Sequence, residues 1–330
     1  MILETVKKIL IVRFTSLGDV LLTTPLVRTI KSQHPDIQID FCVLDELIQT
    51  VKHNPYITNI IQYTRDEKLF SSIREKIMDA QYDLVLDLQN NHRSHKLLEP
   101  LKSKTRRFEK HDFEKWMLVN LKINLMYNFP PIPVRYSKVL PKLKLDDQGL
   151  DLFLPENIKP DLDPKEKYIG FCPASKHYTK MWPYDYFEEL GEILSLHKYR
   201  IVVFGGRNDK GICDLIASSI PGSINLCNDN ELYKTAINMK QCHAIICNDS
   251  GLMHVATAIK VPVVAIFGST VTEFGFTPYK AKSDVVQVEN LKCRPCSHIG
   301  RNKCPQKHFH CMLRITPATV YLQLNHLLVS

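Results

Sequence analysis

The sequence predicts an α/β protein made of two Rossmann-like domains, each with a parallel sheet. Three observations predict it. Short apolar runs alternate with helical patterns in the first half of the 330-residue chain, a proline-studded stretch follows, and the same alternation then restarts. A chain of this length suits two domains of ordinary size, each able to bury its own core.

In the first half, residues 9–14, 37–43, 59–63 and 84–88 read as strands. They are continuous apolar runs, as expected of parallel strands covered on both faces. Residues 21–33 and 68–80 carry apolar side chains at helical spacing. Between 129 and 165 the periodicity fades, and prolines at 130, 131, 133, 141, 155, 160 and 164 mark a linker. The expected domains are therefore 1–160 and 161–330. In the second half, residues 168–172, 200–204, 223–226, 244–247, 261–267 and 284–288 read as strands. Helices are expected at 184–197, 210–219 and 231–240, from Gly251 onward, and at 316–328 near the C-terminus. Two such sheets facing each other would make a deep cleft, and open α/β sheets bind ligands at the carboxyl ends of their strands.

A hydrophobic content of 44% with 24% charged residues describes a globular chain. The net charge of +8 favours anionic partners or serves solubility. No arginine-rich arm, zinc-finger spacing or RNA-binding aromatic signature points to nucleic acid. No apolar run approaches the roughly 20 residues that cross a bilayer, and residues 1–14 lack a leader pattern, so a cytoplasmic protein is expected. Ten cysteines in such a chain imply reduced thiols. Of the scattered ones (Cys42, Cys172, Cys213, Cys227, Cys242 and Cys247), several lie in apolar surroundings and read as small core residues. Cys293, Cys296, Cys304 and Cys311 cluster in a loop-rich segment. Two readings stay open for them, a tetrahedral structural zinc site or free, redox-active thiols.

The most informative motif is Asp249-Ser250-Gly251-Leu252-Met253-His254, which follows an apolar strand. A helix opening at Gly251 presents free N–H groups and its positive dipole end, a seat for a diphosphate. Asp249 and Ser250 are placed to cap the turn, and His254 lies one turn further along.

Three segments together resemble glycosyltransferase family 9, the ADP-heptose:lipopolysaccharide heptosyltransferases. The first runs from Ile9 through Arg13, Thr15, Gly18 and Asp19 to Pro25. The second is Cys172-Pro173-Ala174-Ser175 followed by Lys180-Met181-Trp182-Pro183. The third is the Asp249–His254 motif continued by residues 263–270. The ordered set spreads over nearly the whole chain. The resemblance implies a GT-B arrangement and an inverting transfer of heptose from ADP-heptose to a lipid-linked core sugar. It also implies contact with the cytoplasmic face of the inner membrane.

Such a transfer needs a base for the acceptor hydroxyl and positive charge for the departing diphosphate. Asp19, after Gly18 and the first strand, is either that base or a helix cap; the resemblance implies the base. The resemblance places Lys180 at the donor phosphates, where an ammonium neutralises charge without a metal. It puts Ser175, Asp249, Ser250, Gly251 and His254 on the donor side as well. Asp209, after Gly205-Gly206, is either a turn residue or a ribose ligand. For the acceptor it implies the N-terminal domain, where Arg13, Thr15 and Arg93 suit an acidic or phosphorylated sugar. The Asp161-Leu162-Asp163 triplet lies in the linker and reads as an exposed turn, so no metal-dependent donor site and no catalytic cofactor is expected. Two other readings remain. One is a GT-B enzyme with a different nucleotide sugar, either another surface-glycan transferase or a UDP-sugar epimerase. The other is a nucleotide-binding partner protein with degenerate catalysis, against which Asp19, Lys180 and His254 speak.

Overall fold

The computed structural model describes residues 3–329. They divide into two compact units, Met1–His111 with Ile132–Phe153, and Asp112–Pro131 with Leu154–Ser330. In chain order the first unit holds β1 (Lys8–Val12), α1 (Leu17–Leu21), α2 (Thr24–Gln33), β2 (Gln38–Leu44), β3 (Asn59–Tyr63), α3 (Glu67–Asp79), β4 (Leu84–Asp87), α4 (His92–Leu98) and β5 (Thr105–Arg107). The chain then enters the second unit for α5 (Asp112–Trp116) and a π-helical turn (Met117–Leu121), and rejoins the first for α6 (Ile132–Ser137).

The remainder of the second unit is β6 (Tyr168–Cys172), α7 (Tyr184–Leu196), β7 (Arg200–Val203), α8 (Lys210–Ser219), β8 (Ile224–Asn225), α9 (Leu232–Met239), β9 (Cys242–Asn248), α10 (Gly251–Ala258), β10 (Val263–Phe267), β11 (Ser283–Gln287), α11 (His310–Leu313) and α12 (Pro317–Val329).

Both sheets are parallel. The first has the order β3-β2-β1-β4-β5 and the second β11-β10-β9-β6-β7-β8. Counted from the first strand of each unit, this is one plan used twice: the strand order reverses beside the first strand, where an open α/β sheet leaves its ligand crevice. In the first unit the reversal lies between β1 and β4, and in the second between β6 and β9.

Each sheet is sealed by its own apolar cluster. Leu10, Val12, Cys42, Ile61, Ile77 and Val85 meet in the first, and Ile169, Phe171, Trp182, Phe187, Ile246 and Leu324 in the second. Burial of each such side chain is worth roughly 1.5–3 kcal/mol. Among the scattered cysteines all are buried except Cys227, which is half-buried.

Three sequence expectations differ from the structure. The helix expected over 21–33 starts at Thr24, with the short α1 separate before it, because Pro25 stands at the start of α2 and lacks the N–H that would continue α1. The proline-rich stretch contains α6, and β5 and α4 escaped a reading based on long apolar runs. The single boundary at 160 becomes a double crossing. Residues 112–131 belong with the second unit because Leu118 and Met126 pack on Phe274 there.

Candidate active site

β9 ends on Asn248, Asp249 follows in the turn, and Ser250 is the N-cap of α10. Ser250 holds an extended backbone but its hydroxyl caps nothing; it is buried without a hydrogen-bond partner. The Ser269 hydroxyl, after β10, is also buried and unpartnered. A buried hydroxyl with no partner costs about 1–3 kcal/mol, which a ligand oxygen would recover. The first N–H groups of α10 have no partner within the helix by construction, so two hydroxyls and a helix N-terminus present unmet donors at the strand switch.

Lys180 completes this set. It ends a short 3₁₀ turn (Tyr178–Lys180) after β6, and its Nζ donates to Asp249 Oδ2 over 2.7 Å. The Thr270 hydroxyl donates to the same oxygen at 2.7 Å. Asp249 is 6% exposed and Lys180 retains 14% side-chain exposure, so the ammonium is positioned yet reachable. Asn248, fully buried, fastens the neighbouring loop: it donates to Pro173 O (2.6 Å) and accepts from Trp182 N (3.0 Å).

The cysteine-rich segment braces these loops. Arg294 donates to Thr270 O, Cys296 N–H to Ser269 O, and Arg301 N–H to the Thr179 hydroxyl, while Thr179 N–H donates to Arg301 O. Burial pushes the Cys311 thiol up to about 12, with Cys296, Cys293 and Cys304 adding to it and Arg294 opposing. Cys293 Sγ is 3.8 Å from His308 Nε2. Among the described residues, however, no three His, Cys, Asp or Glu side chains form a ready metal site. The donor chemistry suits zinc, whereas the positions do not make a closed set.

In the first unit the loop after β1 carries Asp19 in the first turn of α1. Its Oδ2 accepts from Ser16 N–H (3.1 Å) and the Ser16 hydroxyl (2.7 Å), and its Oδ1 meets Arg13 Nη2 at 2.7 Å. The Tyr136 hydroxyl stands 3.5 Å from Oδ1. Burial raises the pKa of Asp19, but the Arg13 guanidinium and the Ser16 donors outweigh it and hold the carboxyl below its ordinary range. Asp19 closes a capping box, the cap role that the sequence offered, and 18% of its side chain remains accessible, so the carboxylate can still be reached. Gln89, after β4, accepts from the N–H groups of Phe14 and Thr15 and so holds the β1 loop to the neighbouring strand end.

Several expected ligands have other duties. Arg13 is buried: it donates to Leu88 O (2.6 Å), pairs with Asp19 and lies over the Tyr136 ring, so it positions Asp19 and is not presented to an acceptor. Asp249 directs its charge at Lys180 and accepts from Thr270. His254 is 3% exposed and faces protein, not an open mouth. Asp209 accepts from Gly206 N–H at 2.9 Å, the turn role. Thr15 contributes its backbone N–H, Arg93 is exposed on α4, and Ser175 is half-buried in the loop after β6. Asp161 is a surface clamp on Asn238 and Lys234. Sequence reasoning missed Asn248, Thr270, Ser269 and Gln89. Only Ser269 and Thr270 carried a signal, a small polar pair after an apolar strand.

The model of glycosyltransferase family 9 (heptosyltransferase) matches residues 70–308. Lipooligosaccharide heptosyltransferase 2 of Campylobacter jejuni is 29% identical over 325 residues, covering 95% of this chain and 96% of its own. The crystal structure of a family 9 glycosyltransferase from Veillonella parvula superposes with a TM-score of 0.80 at 22% identity, covering 98% and 97% of the two chains. ADP-heptose lps heptosyltransferase II of E. coli superposes with a TM-score of 0.74 at 24% identity, covering 98% of each. The fold is GT-B.

Proposed function

The chain belongs to glycosyltransferase family 9, and from that premise we propose that it transfers heptose from ADP-heptose to a lipid-linked lipopolysaccharide core sugar, with inversion and without a catalytic metal. The donor reading takes support from the ADP-heptose enzyme of E. coli with the same fold, and the acceptor reading from the lipooligosaccharide heptosyltransferase of C. jejuni. One observation carries it: at the strand switch of the second unit, the Lys180 ammonium, the α10 N-terminus and the unpartnered Ser250 and Ser269 hydroxyls offer charge and donors to a diphosphate.

The step is a single displacement. The acceptor oxygen bonds to the anomeric carbon while its proton passes to Asp19. The bond to the diphosphate oxygen breaks, and its electron pair leaves with ADP. Lys180 and the α10 N–H groups neutralise that charge as it develops, where it is worth most. Arg13 keeps Asp19 ionised, so the base is always unprotonated at neutral pH although weaker than an unpaired carboxylate. With a lipid-linked acceptor, the reaction belongs at the cytoplasmic face of the inner membrane.

Initial rates with ADP-heptose and truncated core acceptors test the reading, together with ADP, UDP and GDP affinities. ADP should bind most tightly. Asp19→Ala should keep ADP affinity and lose most turnover. Preference for UDP, or undiminished transfer by the variant, would overturn the donor or the base respectively.

Zinc held by Cys293, Cys296, Cys304 and Cys311 is proposed as a brace for the Thr179 and Ser269 loops, outside the reaction. Binding must draw the thiols together. Protein purified in reducing buffer should carry one zinc per chain and lose thermal stability on chelation; metal-free protein of equal stability would remove the brace.

A further inference from the structure

The residues that join the second unit by crossing into it, 112–131, present an apolar ridge to solvent. Leu118 and Met126 are buried on Phe274, which fixes the segment. Lys122 donates to Val119 O and Pro295 O, and Asn124 to Glu273. What remains outward is Phe113, Trp116, Leu121, Ile123, Leu125 and Tyr127, all exposed, with Tyr127 at 79% and Trp116 at 52%. Exposed apolar side chains are ordinary when single, but six within fifteen residues mark a contact surface.

The neighbouring loop supplies the charge. Between residues 291 and 314 there are six lysines and arginines (Lys292, Arg294, Arg301, Lys303, Lys307 and Arg314) and no aspartate or glutamate. All but Arg294 are exposed, and Ile299 projects beside them. A hollow of about 640 Å³ lies between ridge and loop, with Lys122, Lys292, Arg301 and His308 in its wall and no carboxylate. Aromatic side chains prefer the headgroup level of a bilayer, and basic residues are drawn to anionic lipid within a Debye length. The α5 helix and its π-helical turn are too short to span, and no helix among the described residues is long and apolar enough to do so.

We infer that residues 113–127 and the basic loop 291–314 form a docking surface for an anionic lipid bilayer, with the aromatic ridge at headgroup depth and the loop over the phosphates. The inference rests on the lipid-linked acceptor proposed above and names the surface that would bring the enzyme to it.

The chain has two tryptophans. Trp182 is buried with its indole N–H on Ile315 O, so Trp116 reports alone. Vesicles of phosphatidylcholine with phosphatidylglycerol, free of any acceptor, should sediment the protein and shift Trp116 emission to the blue; pure phosphatidylcholine should do neither. The triple variant Phe113→Ser, Leu121→Ser, Tyr127→Ser keeps the reporter and should bind anionic vesicles about tenfold more weakly, as should Lys292→Glu with Lys303→Glu. ADP affinity verifies that each variant is folded. No emission shift, equal binding to neutral vesicles, or unchanged binding by the variants overturns the surface. So does an oligomer that the apolar variant disperses while vesicles have no effect, since the ridge would then join copies of the chain. Vesicle binding without heptosyl transfer would instead reject the acceptor reading alone.

Discussion

Lys180 Nζ and Asp249 Oδ2 are 2.7 Å apart, and the Thr270 hydroxyl donates to that same oxygen. The acidic residue of the turn therefore holds the cation in place. A charge-assisted hydrogen bond is worth about 1.5–3 kcal/mol. Lys180→Ala should accordingly weaken ADP binding by roughly ten- to a hundredfold. Asp249→Asn leaves the ammonium in place but unaimed, so it should cost turnover more than ADP affinity. Calorimetry with ADP and initial rates separate the two. Wild-type ADP affinity in Lys180→Ala would remove the lysine from the donor site.

Arg13 and Asp19 make a prediction about pH. Burial favours the neutral acid, the guanidinium and Ser16 favour the carboxylate, and the latter win. The acid limb of kcat/KM for the wild type should thus fall below the ordinary aspartate value near 3.9. In Arg13→Gln only the Ser16 donors still oppose the burial, and the limb should move to higher pH. Stability follows the same sign. A depressed folded pKa stabilises above the unfolded value and is lost as pH falls through the folded one. The variant should therefore be destabilised most at neutral pH and least in acid. The loss should stay below the roughly 3–5 kcal/mol of a fully buried pair, since Asp19 retains some water. A pH profile superimposable on that of the wild type would deny the coupling.

The parts legible in the sequence were those whose signal is local. Continuous apolar runs announced the parallel strands, and Asp249-Ser250-Gly251 after one of them announced a helix start at a strand end. Asp19 was legible in the same way, directly after Gly18. The duty of Arg13 was not, because its guanidinium reaches Leu88, 75 positions away. Gln89 and Asn248 were invisible for the same reason: each fastens a loop from another strand, and nothing beside them in sequence betrays it. The double crossing at 112–131 was hidden too, since it rests on Leu118 and Met126 meeting Phe274 about 150 residues later.

Arg28 tests the first unit independently of the second. It is 3% exposed, sits on α2, pairs with both Asp146 and Asp151, and donates to Gly149 O at 2.8 Å. Arg28→Met removes the cation between two carboxylates. Breaking a buried ionic cluster costs about 3–5 kcal/mol, a fall in Tm of roughly 10 °C for a unit of this size. ADP affinity, assigned above to the second unit, should be unchanged below that transition. Thermal melts and calorimetry on one preparation decide it. A drop within about 1 °C would mean that the cluster contributes little.

Gly300 tests whether the cysteine-rich segment sets the donor loop. Its φ of +112° lies where a side chain is strained, and a Cβ there would stand 2.5 Å from His177 Cβ. The next residue, Arg301, exchanges backbone and hydroxyl hydrogen bonds with Thr179, the neighbour of Lys180. Gly300→Ala should push these two loops apart and misplace the ammonium, while both apolar cores stay packed. The expected result is a loss of ADP affinity of about tenfold with a fall in Tm of only a few degrees, because strain at such a position costs about 1–3 kcal/mol. Combining the variant with Lys180→Ala sharpens the reading. If Gly300 acts through Lys180, the double variant should bind ADP little worse than Lys180→Ala alone. Additive losses would show instead that the segment touches the nucleotide by another route.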